Sequence, residues 1–189
     1  MENKNNRISP YKICIVALAV CINLAGGQLA LLLRLPVYLD SIGTFFVGAV
    51  LGPLYGMLPN FLSGIIFGMT TDIYSLYYAP VGILLGLFTG LVCHKNFPKG
   101  IKIFPAALLI TIPTTIVSAS ITSILFGGIT SSGSTLLVQI LAKSPLGLTG
   151  ACFVVQFITD YADRIISLFL VAAILKALPH NLKEKLRRS

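Results

Sequence analysis

Residues 151–178 read ACFVVQFITDYADRIISLFLVAAILKAL, an apolar run long enough to cross a bilayer, with Asp160, Asp163 and Arg164 near its middle. A carboxylate in hydrocarbon is costly, so it persists only beside a partner, a water-filled cavity or a ligand. Outward from this stretch, Asp40 and Asp72 stand at the ends of other apolar segments. Four of the six acidic residues therefore lie within or beside membrane-like sequence. The pattern predicts an all-α membrane protein with a polar site among its helices.

Composition points the same way. Of 189 residues, 56% are hydrophobic and 11% charged, and mean hydropathy is +0.90. A water-soluble domain of this size would have too little polar surface to cover its core. At about 20 residues per crossing, the length suits a compact bundle of six transmembrane helices. The predicted spans run from Tyr11 to Leu33, Ser41 to Leu51, Leu54 to Met69 with an interruption at Pro59, Val81 to Cys93, Ile103 to Phe126, and a last one ending near Leu178. The polar-aromatic segment 70–78 and the Gly/Ser-rich segment 127–134 read as outer loops, with a short interfacial helix over Thr135 to Lys143. The chain is expected to be a single membrane domain over 1–189, with short basic tails at about 1–10 and 179–189.

The net charge of +8 does not imply nucleic-acid binding, because the basic residues are placed by topology. Lys4, Arg7 and Lys12 precede the first span; Lys95, Lys99 and Lys102 occupy the central break; Lys176, Lys183, Lys185, Arg187 and Arg188 close the chain. These eleven of the fourteen basic residues share one side of a six-span layout, which the positive-inside rule makes cytoplasmic. Both termini are then expected inside, the tail touching anionic lipid. The first apolar run is too long for a signal-peptide core and lacks a small-residue cleavage pattern, so it reads as a retained helix. Cys14, Cys21, Cys93 and Cys152 show no metal-ligand spacing and are expected to be reduced and packed.

Small residues recur every four positions in three registers. Gly48, Gly52, Gly56, Asn60, Gly64 and Gly68 form one, Gly82, Gly86 and Gly90 a second, and Ala17, Cys21 and Ala25 a third. Such stripes let helix backbones approach closely, either within a bundle or against another membrane subunit.

The candidate site has three parts. Gln156, Asp160, Asp163, Arg164 and Ser167 fall on one helical face within an arc of roughly 100°. Either the two aspartates form a structural ion pair with Arg164, or at least one meets a ligand. Asp40, after Tyr38 and the Pro36 turn, either caps the next helix or faces the site. Asp72 is either a solvated loop residue or part of a lid with Tyr74, Tyr77 and Tyr78, and Asn60 projects from the third span. Carboxylates outnumber intramembrane cations, which favours an amine-bearing or zwitterionic ligand, with Arg34 or Arg164 meeting a carboxylate. An amino-acid-like compound, small peptide or vitamin fits; a polyanion does not.

No catalytic residues, metal ligands or cofactors are expected. His94 and His180 both sit at the expected cytoplasmic margin, and HExxH, GxSxG and Walker A patterns are missing from the sequence.

The run Leu35-Pro-Val-Tyr-Leu-Asp-Ser-Ile-Gly-Thr44, followed by Gly48-Ala-Val-Leu-Gly-Pro-Leu-Tyr-Gly56, resembles the substrate-binding S components of energy-coupling factor (ECF) transporters. Asp163-Arg164-Ile-Ile-Ser167, leading through an apolar helix to Leu178-Pro179 and a basic tail, is a second match. The resemblance implies a six-helix subunit in the plasma membrane of a prokaryote that captures a micronutrient from outside. Its partners would be a membrane coupling subunit and two cytoplasmic ATPases, with ATP hydrolysed there. It also implies a docking face of small residues on the first helix, matched here by Ala17, Cys21 and Ala25, with cysteine in place of the usual second alanine. The substrate-binding candidates are Arg34, Tyr38, Asp40, Asn60, Asp72, Tyr74, Tyr78, Gln156, Asp160, Asp163 and Arg164. Two other classes compete: a self-sufficient proton-coupled carrier using Asp160 and Asp163, and a non-transporting membrane scaffold.

Overall fold

The computed structural model describes residues 10–179. Nearly all of both basic tails, with Lys4, Arg7, His180, Lys183, Lys185, Arg187 and Arg188, lies outside the described residues. Eight α-helices and no strand are present among those described: α1 (Pro10–Leu32), α2 (Ile42–Leu51), α3 (Pro53–Thr70), α4 (Tyr74–Tyr77), α5 (Ala79–Cys93), α6 (Ile103–Phe126), α7 (Thr135–Leu141) and α8 (Gly147–Ala177). A single 3-10 turn, Gly100–Lys102, leads into α6. Two of these elements, α1 and α6 with its leading turn, are long and apolar enough to cross a membrane.

Packing follows the small residues. The two glycine registers meet where α3 crosses α5: a Cβ on Gly86 would overlap the Gly56 carbonyl, and one on Gly56 would sit 2.7 Å from the Gly86 carbonyl. α2 packs against α1, α3, α5 and α8, while α6 packs on α5 and α8. α2 ends because Gly52 adopts φ +88°, which a side chain would resist, and Pro53 then opens α3. The expected interruption at Pro59 does not occur, and α3 runs unbroken through it. Proline removes one backbone donor and leaves the remaining helix bonds, which packing against α5 supports.

The third register behaves differently. Ala17, Cys21 and Ala25 all point away from the bundle on the exposed face of α1. Cys14 and Cys21 are therefore exposed rather than packed, whereas Cys93 and Cys152 are buried as expected.

The burial pattern departs from that of a water-soluble bundle by exposing many large apolar side chains while burying charged ones. Leu18, Leu32, Leu109, Ile124, Ile158 and Phe169 are exposed, whereas Asn23, Thr44, Thr111, Gln156, Asp160, Asp163 and Arg164 are buried. An apolar cluster of Phe45, Leu85, Ile110, Leu168 and Val171 fills the bundle on one side of these polar groups. A smaller one around Ala119, Val138 and Cys152 seats α7 on α6 and α8.

Candidate functional site

The loop 33–41 sets the geometry. It begins where α1 ends in a turn with Arg34 at φ +49°, closed by the Leu35 N–H donating to the Ala30 carbonyl at 2.9 Å. The loop then descends along α8 and starts α2. Leu39 is held at φ +51°, a conformation costly for leucine. Its N–H donates to Asp163 Oδ1 at 3.0 Å, and Ser41 Oγ donates to Asp163 Oδ2 at 3.0 Å. Asp40 does not cap α2. That work falls to Asn23 of α1, whose Oδ1 accepts the Gly43 N–H at 2.8 Å while its Nδ2 donates to Thr44 Oγ1 at 2.9 Å.

A cavity of about 110 Å³ lies between this loop, α1, α3, α5, α6 and α8. Nine of the eleven sequence candidates line it: Tyr38, Asp40, Asn60, Asp72, Tyr74, Tyr78, Gln156, Asp160 and Arg164. Two do not. Arg34 is an exposed turn residue whose carbonyl packs against Gly133. Asp163 is fully buried, with both oxygens turned to the loop and to Arg164.

The charged centre is unevenly satisfied. Arg164 Nη1 lies 3.2 Å from Asp163 Oδ2 and 3.6 Å from Asp160 Oδ1, and its Nε, also buried, has no partner. Asp160 Oδ2 accepts from Thr115 Oγ1 at 2.7 Å and Ser118 Oγ at 3.4 Å. Gln156 is held at both ends, its Oε1 accepting from Ser118 Oγ and its Nε2 donating to Thr122 Oγ1. Thr122 spends its own proton on the Ser118 carbonyl, so the Tyr78 hydroxyl is the donor in its bond to Thr122. Asp40 alone among the three aspartates of the centre takes only its own backbone N–H. Burial, reinforced by the charge of Asp163, pushes its carboxyl up to about 7, with Arg164 opposing the shift. Burial also raises Tyr38 and takes Tyr78 up to about 12, so both phenols stay protonated.

Two connecting segments, 71–78 and 127–134, meet at the edge of the cavity. Asp72 Oδ2 accepts from Ser131 Oγ at 2.6 Å and from Ser75 Oγ at 3.3 Å, tying the start of α4 to the 127–134 loop. Tyr74, Tyr77 and Tyr78 surround Phe126 with ring centroids at 4.8, 5.3 and 6.1 Å. Tyr38 lies close to Ser132 of the same loop.

Sequence reasoning missed Asn23, Ser63, Phe67, Ser118, Thr130 and Ser131, all of which line the cavity. Asn23 had a signal, being an isolated amide inside an apolar run; the hydroxyl residues had none, since serine and threonine in apolar helices commonly bond their own backbone. No metal-holding group of His, Cys, Asp or Glu occurs among the described residues. The sequence matches no protein-family model and no curated protein, and no solved structure matches the fold.

Proposed function

We propose that this chain is a substrate-capture subunit embedded in the plasma membrane of a prokaryote. It binds a small micronutrient from the outer side and hands it on with the help of a membrane coupling subunit and two cytoplasmic ATPases. On this reading six helices cross the bilayer, α1, α2, α3, α5, α6 and α8, with both termini inside. The chain itself catalyses nothing and needs no cofactor.

The observation that carries the reading is the polar, carboxylate-rich cavity enclosed by helices whose outer faces are apolar. Buried polar groups facing one another beneath an apolar exterior are what a bilayer-embedded binding site requires. The motif resemblance around Leu35–Gly56 and Asp163–Ser167 supplies the transporter class. The exposed small face of α1, Ala17, Cys21 and Ala25, suits close docking on another membrane subunit.

Native mass spectrometry of the chain purified from its own host's membranes tests this. A retained small molecule, together with co-purifying ATPases and coupling subunit, is the expected result. Concentrative uptake by the chain alone in sealed vesicles would favour a proton-coupled carrier instead.

A further inference from the structure

Resting on the capture reading, we infer that the ligand is a small organic monocation, an ammonium compound whose apolar body is no larger than one ring. Its charged end sits at Asp40 and its body lies beside Phe67. Capture then releases the Asp40 proton.

The charge balance comes first. Asp40, Asp160 and Asp163 face one cation, Arg164, so the centre has a surplus of negative charge when all are ionised. Asp163 and Asp160 are each held by other residues' donors, while the Asp40 carboxylate is left open to the cavity. A ligand ammonium is the donor it lacks. A ligand carboxylate would add a fourth negative charge beside Arg164, the one guanidinium lining the cavity, whose Nη1 already faces two carboxylates and whose unpartnered Nε offers a single N–H against that surplus.

Shape agrees. A Cβ on Gly27 would lie 3.3 Å from Asp40 Cβ and 3.5 Å from the Phe67 ring. The bare glycine therefore lets Asp40 and the Phe67 ring close on α1 at van der Waals distance, which sets carboxylate and ring side by side on the cavity lining, where a cation gains from both. Leu31, Val81 and Leu85 complete an apolar wall. The cavity, about 110 Å³ and not fully enclosed, is of the same order as the roughly 150 Å³ engineered cavity that admits benzene. One ring is thus the upper limit of what it holds, with any arm reaching into the open side.

Proton release follows from the groups facing Asp40: Tyr38 on its own loop, and Asp160, Asp163 and Arg164 on α8. The Tyr38 phenol is neutral, leaving the carboxylates and Arg164 to set the field. With its carboxyl pushed up to about 7, Asp40 holds a proton in a large share of molecules at neutral pH, and a bound cation displaces it.

The test is calorimetry on the purified chain with benzylammonium and ethylammonium, against benzyl alcohol as the neutral counterpart and alanine as the zwitterionic one. Both amines should bind, and alanine and benzyl alcohol should not. Affinity should fall roughly tenfold from pH 8 to pH 6, and heats in two buffers of different ionisation enthalpy should report proton release. Asp40→Asn should weaken binding roughly 10- to 100-fold and flatten the pH profile. Equal binding of alanine or benzyl alcohol, or a wild-type affinity flat in pH without proton release, overturns the inference whether or not the variant folds. A neutral or anionic compound retained from host membranes would overturn this inference alone, leaving capture standing. No retained compound and no bound probe would overturn both.

Discussion

Asp163 holds the N–H of a left-handed leucine, the hydroxyl of Ser41 and a guanidinium nitrogen at once. Removing its carboxylate leaves a buried cation short of one partner and two donors without any. Asp163→Ala should therefore cost about 3–5 kcal/mol, read as lower folded yield and a lower thermal midpoint in detergent; an unchanged midpoint would mean the loop is held otherwise. Asp40 carries a different signature. An acid whose folded pKa is raised binds its proton more tightly folded than unfolded, so its stabilising contribution is complete below about pH 4. That contribution is lost as pH rises through about 7. Ligand-free protein should lose more thermal stability between pH 5 and pH 8 than Asp40→Asn does, a comparison that differential scanning calorimetry makes directly. The polar face of the last helix was legible in the sequence because charges inside so apolar a run are rare enough to stand out. The division of labour between its aspartates was not, since that depends on which donors a loop distant in sequence brings to each oxygen.

Among the helices, the two glycine registers and the small register of α1 have the same spacing but opposite fates. The first two face each other across α3 and α5, and the third faces outward. Gly86→Ala should destabilise the bundle by about 1–3 kcal/mol through overlap with the Gly56 backbone. Ala25→Leu, by contrast, should leave the thermal midpoint close to wild type. On the proposed docking role, Ala25→Leu should also reduce co-purification of the coupling subunit, measurable by affinity pull-down from host membranes. Spacing alone identified the stripes, yet it does not say which surface a stripe meets, because that is settled by the rotation of each helix in the assembled bundle. Helix boundaries were legible to within a few residues from apolar runs and Gly/Pro breaks. The continuity of α3 through Pro59 was not, since proline's cost is offset by packing that lies outside the local sequence.

Across the whole molecule, the described basic residues Lys95, Lys99 and Lys102 belong to the segment joining α5 to α6, and Lys143 follows α7 near the opposite, cavity-mouth end. In intact cells, with Cys14→Ser and Cys21→Ser to remove the exposed thiols, an impermeant maleimide should label Lys143→Cys and spare Lys99→Cys. The reverse pattern would invert the proposed orientation. The all-helical class was legible because composition and apolar run length constrain it strongly. The descent of the 33–41 loop beside α8 was not, because an irregular segment buried by long-range bonds looks from sequence like any polar connector. One detail of that descent reaches beyond statics. A single nitrogen of Arg164 is divided between Asp160, which lines the cavity, and Asp163, which grips the loop. Whatever draws on Asp160 changes the share left for Asp163, so the two behave like the pans of a balance. A guest that drew on Asp160 would register in the loop that Asp163 grips, which makes the exposed turn at Pro36 a natural place for a reporter of occupancy.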